Sequence, residues 1–105
     1  MVKLNKEIVC KDGFTMSVQA NEGAYCHPRI DSAPTYSTVE VGFPSHFESL
    51  LLGWADNPER PTDTVYGYVP VTTIILVCAK HGGIISGELP PGILALKAIP
   101  HRGNQ

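Results

Sequence analysis

Asp12-Gly13 stands between two strand-like runs, Ile8-Val9-Cys10-Lys11 and Phe14-Thr15-Met16-Ser17-Val18-Gln19-Ala20. An Asp-Gly pair between such runs is a strong hairpin signal, because a two-residue type I′ turn needs positive φ at both positions. The second run alternates: Phe14, Met16, Val18 and Ala20 point one way, and Thr15, Ser17 and Gln19 the other. That is a strand with one packed face and one face open to water or a ligand. The chain therefore starts from an antiparallel hairpin that needs a cover on one side.

Residues 36–43 return to the same alternation, with Val39, Val41 and Phe43 on one face and Thr38 and Glu40 on the other. This predicts a further strand, ending at Gly42 to Pro44. Ser45 and Glu48 then have the spacing of a capping box. Phe47, Leu50, Leu51 and Trp54 follow at i, i+3, i+4 and i+7, a single apolar stripe. The pattern predicts a first helix that stops at Asp56-Asn57-Pro58. A polar, Pro-rich connection over residues 57–63 leads to a short extended segment, residues 64–69.

Residues 71–78 carry two signals. Their β-branched content favours a strand. Their flanks favour a helix, with Pro70 at its start, Lys80 and His81 in its last turn and Gly82 just beyond. Val71, Ile74, Ile75 and Cys78 make a helical stripe, and the expectation is a second helix. Leu76 and Val77 lie off that stripe and need cover, either from a second copy of the chain, making a homo-oligomer, or from the chain's own residues 84–99. Residues 93–99 read as a strand or a short helix, and residues 101–105 as a loose tail. The expected fold is α+β, a three- to four-stranded antiparallel sheet packed against two helices in a single domain, residues 1–105.

Composition narrows the function classes. Of 105 residues, 43% are apolar and 17% charged, with eight basic and ten acidic side chains. The charged share falls below the ~25% usual for globular proteins. Lys3, Lys6 and Lys11 are interrupted by Glu7 and Asp12, so no basic face is evident and general nucleic-acid binding is not expected. Cys10, Cys26 and Cys78 are odd in number and widely spaced, unlike a disulfide framework. Residues 1–20 hold no continuous apolar segment of the secretory type. The longest apolar run is far short of the ~20 residues of a membrane span. The reading is a reduced, cytoplasmic protein with no membrane association.

The most versatile side chains gather in the irregular stretch 21–35, at Tyr25-Cys26-His27-Pro28-Arg29. Arg grips a phosphate or carboxylate, Tyr stacks and donates a hydrogen bond, and His switches charge. Tyr25, His27 and Arg29 are the candidate ligand- or partner-binding residues. Tyr66 and Tyr68, on one face of a strand, would line the contact and form an aromatic patch with Phe43. The plainer alternative is that Tyr25 and Cys26 fill the core edge, that Arg29 pairs with Asp31 or Glu40, and that the tyrosines pack across strands. His46, His81 and His101 are scattered and no Cys-x-x-Cys occurs, so neither a metal site nor a cofactor is expected. Cys26 with His27, His46 or His81 is the nucleophile–base pairing to consider for a small hydrolase or transferase.

Five segments together carry a resemblance: residues 12–20, 25–29, 39–45, 64–70 and Ala79-Lys80-His81-Gly82-Gly83. Over residues 12–92 the chain resembles a group of small uncharacterised proteins carried by bacteriophages and other mobile elements. It departs from them inside the second helix, where Thr72-Thr73 and Leu76-Val77 stand at places of expected charge. The resemblance implies a non-enzymatic accessory protein. Such a protein binds a host protein, defence-related among the options, or sequesters a small anionic or nucleotide ligand. A structural or assembly subunit is the further alternative.

Overall fold

The computed structural model describes residues 3–99. Five strands, β1 (Ile8–Cys10), β2 (Thr15–Gln19), β3 (Thr38–Gly42), β4 (Val65–Pro70) and β5 (Ile84–Ser86), form an antiparallel sheet in the order β4-β3-β2-β1-β5. Among the described residues there is one α-helix, α1 (Val71–Lys80), and one 3₁₀ turn, Leu52–Trp54. The class is α+β, as expected. The strand count is five rather than three or four, because β5 adds to the free side of β1. No helix among the described residues is long and apolar enough to cross a membrane. The tail expected at residues 101–105 lies outside the described residues.

The opening hairpin forms with one change. The Cys10 amide donates to the Phe14 carbonyl at 2.9 Å and the Gly13 amide to Cys10 at 3.0 Å, giving a three-residue loop. Only Gly13, at φ 95°, takes the left-handed conformation, while Asp12 uses its carboxylate to accept the Phe14 amide at 2.9 Å. A three-residue hairpin with Gly in that position is the next commonest solution after the two-residue turn. Met16 pairs with Ile8, and Phe14, Met16 and Val18 are all buried. Val39 and Val41 of β3 join them. Phe43 does not: its φ is 47° and its ring is 56% exposed, so the strand's alternation ends one residue early.

Helix α1 leaves β4 at one edge of the sheet and delivers the chain to β5 at the other. Ile74, Val77 and Cys78 join the core, Ile and Val each contributing about 1.5–3 kcal/mol by burial. Pro70 stands at the N-cap, where its missing amide costs nothing. The C-terminus closes as a Schellman motif, with the Gly82 amide on Ala79 O at 3.1 Å and the Gly83 amide on Cys78 O at 2.8 Å. Cover for the two off-stripe residues divides: Val77 is buried by the chain itself and Leu76 stays 57% exposed. The last segment is neither strand nor helix. It lies beside β5 through a single parallel bridge, Ile84 to Lys97.

The helix expected from Ser45 is absent. Ser45 donates its amide to Thr15 O at 2.8 Å and accepts the Thr15 amide on Oγ at 2.9 Å, so the capping oxygen is committed to β2. Residues 48–55 instead wind through i to i+3 bonds (Leu51 to Glu48, Leu52 to Ser49, Trp54 to Leu51 and Ala55 to Leu52). Of the expected stripe only Leu51 is buried, while Phe47, Leu50 and Trp54 stay exposed. Distant polar partners here outweigh a local helical pattern worth a few tenths of a kcal/mol per residue.

Candidate functional site

Strand β4 carries a bulge opposite β3. Val39 pairs with Val69 and Val41 with Tyr66, so Gly67 and Tyr68 together face Glu40 alone. An extra residue of this kind reverses which side of the sheet the following side chains meet. Tyr66 and Tyr68 therefore do not share a face. Tyr66 is fully buried and its hydroxyl donates to Pro61 O, whereas Tyr68 is 48% exposed. Tyr68 takes up the bulge at φ 55°, a conformation that costs a β-carbon residue about 1–2 kcal/mol. Its amide donates to Tyr25 O at 2.9 Å.

The 21–35 stretch is built to present Tyr25. Asn21 and Asp31 carboxamide and carboxylate oxygens accept the Gly23 and Glu22 amides. The buried Tyr36 hydroxyl donates to Ile30 O and accepts the Ala33 amide. His27 pairs with Thr38 of β3 through the backbone, and its ring is exposed. Glu40 accepts the Tyr25 amide at 3.0 Å. Arg29 pairs with neither Asp31 nor Glu40. Its Nε donates to Glu22 O at 3.1 Å and its guanidinium lies 5.1 Å from the Tyr25 ring centre.

Beyond Tyr25 and Tyr68, residues 55 and 56 run along the outer edge of β4. Ala55 bridges Tyr66, and the Asp56 amide donates to Val65 O at 2.9 Å. This places Trp54 and Asp56 across from Tyr25 and Tyr68. The result is a cleft of about 360 Å³ lined by Tyr25, Trp54, Asp56, Val65, Gly67 and Tyr68. The two tyrosine rings stand 6.0 Å apart at 41°, a wedge rather than a stack. The size is that of a small-ligand or side-chain pocket. Phe43 is not among the lining residues, and Trp54 is the component that sequence periodicity assigned to a helix stripe.

A second group lies where α1 ends. The buried Glu48 carboxylate accepts the Leu50 amide at 2.8 Å, Lys80 Nζ at 2.9 Å and His81 Nε2 at 2.6 Å. The other ring nitrogen, Nδ1, meets Asp12 Oδ2 at 2.6 Å, and the imidazole stacks on Phe14 at 4.1 Å. Each ring nitrogen of His81 thus faces a carboxylate oxygen, which fixes the imidazole from both sides. The Phe14 amide and His81 hold the Asp12 carboxyl below its usual range. Burial alone would raise Glu48, but the Leu50 amide, Lys80 and His81 outweigh it and hold that carboxyl low as well. The group is an ionic clamp joining hairpin, turn and helix end. A small concavity beside it, about 190 Å³, is shared by Asp12, Phe14, His46 and His81.

The cysteines are closed off. Cys26 is 1% exposed and its thiol donates to Asn21 O and Pro28 O. Burial pushes the Cys10 thiol up, and burial together with Cys10 pushes Cys78 up to about 12. All three are buried thiols of the core. Comparison with known proteins gives no match, whether against family models, curated proteins or solved structures.

Proposed function

We propose that the chain is a non-enzymatic binding protein that occupies a partner protein through the cleft of Tyr25, Trp54 and Tyr68, with Arg29 stacked at its margin. Tyr68 is the observation that carries this reading. A large aromatic ring is held half-exposed on a backbone conformation that disfavours it, beside two further exposed rings. That conformation costs stability, and strain of this kind gathers where a surface is used. Tyr and Trp are also the residues that anchor protein interfaces.

A partner protein is favoured over a small anionic or nucleotide ligand. The charged lining residue is Asp56, which repels an anion, and Arg29 already spends Nε on a carbonyl and its face on Tyr25. His27, exposed two residues from Tyr25, would extend the contact, and Tyr66 supports it from the core side. Catalysis by Cys26 has little support, since its thiol is shut away from solvent. The likeness to phage-borne accessory proteins supplies the setting: a host protein, defence-related among the options, met in the cytoplasm.

The test is capture from a bacterial host lysate with wild type, Tyr68→Gly and Arg29→Ala, followed by calorimetry with the purified partner. Wild type is expected to hold a stoichiometric partner that Tyr68→Gly loses. Arg29→Ala should weaken it with a stability change under about 1 kcal/mol. Retention of the same partner by both variants refutes the reading. A partner of particle-assembly type would move the chain to the structural class.

A further inference from the structure

Resting on that reading of the cleft, we infer that its preferred guest is a cationic alkylated ammonium group: a quaternary amine, or the same head on a methylated lysine of the partner. Three features of the cleft converge on this chemistry. The first is the lining itself. Tyr25, Trp54 and Tyr68 line the cleft, and aromatic ring faces attract cations through their quadrupole, tryptophan most strongly. The Tyr25 and Tyr68 rings stand 6.0 Å apart at 41°, so neither lies flat on the other.

The second is charge. Asp56 brings a carboxylate to the cleft, and no side chain donates to that carboxylate among the described residues. The exposed cation nearest the rings, Arg29, lies 5.1 Å from the Tyr25 centre. It covers one Tyr25 face as a cation–π pair within the chain, which leaves Trp54, Tyr68 and the Asp56 carboxylate to meet the guest.

The third is that four backbone amides around the cleft are already committed within the chain. Backbone amides are what a protein ordinarily turns toward phosphate or carboxylate. Here the Tyr25 amide goes to Glu40, the Trp54 amide to Leu51, the Asp56 amide to Val65 and the Tyr68 amide to Tyr25. With those four amides spent, the cleft is lined by three aromatic side chains and one carboxylate. Gly67 keeps its floor open: a β-carbon there would come 3.2 Å from the Tyr25 side chain. An alkylated ammonium suits such a site better than a bare one, because its methyl groups pack on the rings and its hydration shell is already weak.

The test uses the chain's single tryptophan, which lies in the cleft, as reporter. Trp54 emission is followed during titration with choline, with a trimethyllysine peptide, with the unmethylated peptide, and with 3,3-dimethylbutan-1-ol, the neutral isostere of choline. The cations are expected to give saturable changes with Kd near ~1 mM for choline, and the neutral isostere to bind roughly tenfold more weakly. Asp56→Asn, at an exposed position, should cost roughly fivefold for the cations and nothing for the alcohol. A peptide that binds more tightly than choline identifies a protein source, and choline alone a small-molecule source. Equal binding of choline and its neutral isostere overturns the inference, as does an unchanged emission with all four. If no amine binds and Asp56→Asn still captures the partner that Tyr68→Gly loses, the cation inference falls alone. If Tyr68→Gly also keeps the partner, the binding reading falls with it.

Discussion

Replacing Glu48 by alanine should cost about 3 kcal/mol of folding stability, for reasons that can be counted atom by atom. The carboxylate is 1% exposed and accepts from Leu50, Lys80 and His81. Its removal leaves the Leu50 amide and His81 Nε2 without their carboxylate partner, each contact of the kind worth about 1.5–3 kcal/mol. Lys80, with its side chain 47% exposed, turns to water and contributes under ~1 kcal/mol. Relief from burying the carboxylate offsets part of the sum, leaving a net loss near the low end of the ~3–5 kcal/mol found when one partner of a buried ion pair is removed. Urea unfolding followed by Trp54 emission measures it. At a slope of ~1.5 kcal/mol per molar the midpoint should fall by roughly 2 M. Glu48→Gln keeps the shape, but its one oxygen serves at most two of the three donors, so it should lie between wild type and alanine. Lys80→Ala should shift the midpoint least. A Glu48→Ala loss below about 1 kcal/mol, or equal losses for Glu48→Ala and Lys80→Ala, would refute the clamp.

The same clamp sets an acid limb. Asp12 and Glu48 have folded-state values below their unfolded ones, so their contribution is whole above the ordinary carboxylate range near ~4 and is lost as pH falls through the lower folded values. Urea midpoints measured from pH 7 down to about 3 should decline below ~4, and more shallowly in Glu48→Gln; an identical limb in that variant counts against the linkage. All three cysteines should resist a thiol reagent at pH 8 in the native state and react together in urea, and rapid native labelling of Cys26 would revive the nucleophile reading. Two glycines separate conformational cost from steric cost. Gly13 has φ 95° with open space around its missing β-carbon, so Gly13→Ala should cost about 1 kcal/mol. Gly87 has φ 111°, and its β-carbon would stand 2.3 Å from Glu7 O and 2.6 Å from Ile8 Cα. Gly87→Ala should cost roughly 3 kcal/mol or more, and equal thermal shifts for the two would refute this account of the β1–β5 contact.

Local pattern was enough for the elements whose partners are generic. Alternation at Phe14, Met16 and Val18 determines β2 and its buried face, because any apolar cover satisfies it. The run from Pro70 to Gly82-Gly83 determines α1, because its caps close on its own backbone. Tertiary structure decided the rest wherever a residue's partner lay far along the chain. Ser45 and Glu48 spell a capping box, yet Ser45 bonds Thr15 and Glu48 bonds His81, 33 residues away, and the helix gives way to turns. Tyr66 and Tyr68 are spaced to share a face, yet the bulge against β3 sends one into the core and the other to solvent. Of the residues read as a contact site, Tyr25, Arg29 and Tyr68 meet, while Trp54 and Asp56 enter from a segment that sequence assigned elsewhere. Periodicity records how a residue faces its own neighbours. The register of a bulged strand and the destination of a buried carboxylate depend on groups tens of residues distant, and only the folded chain brings those together.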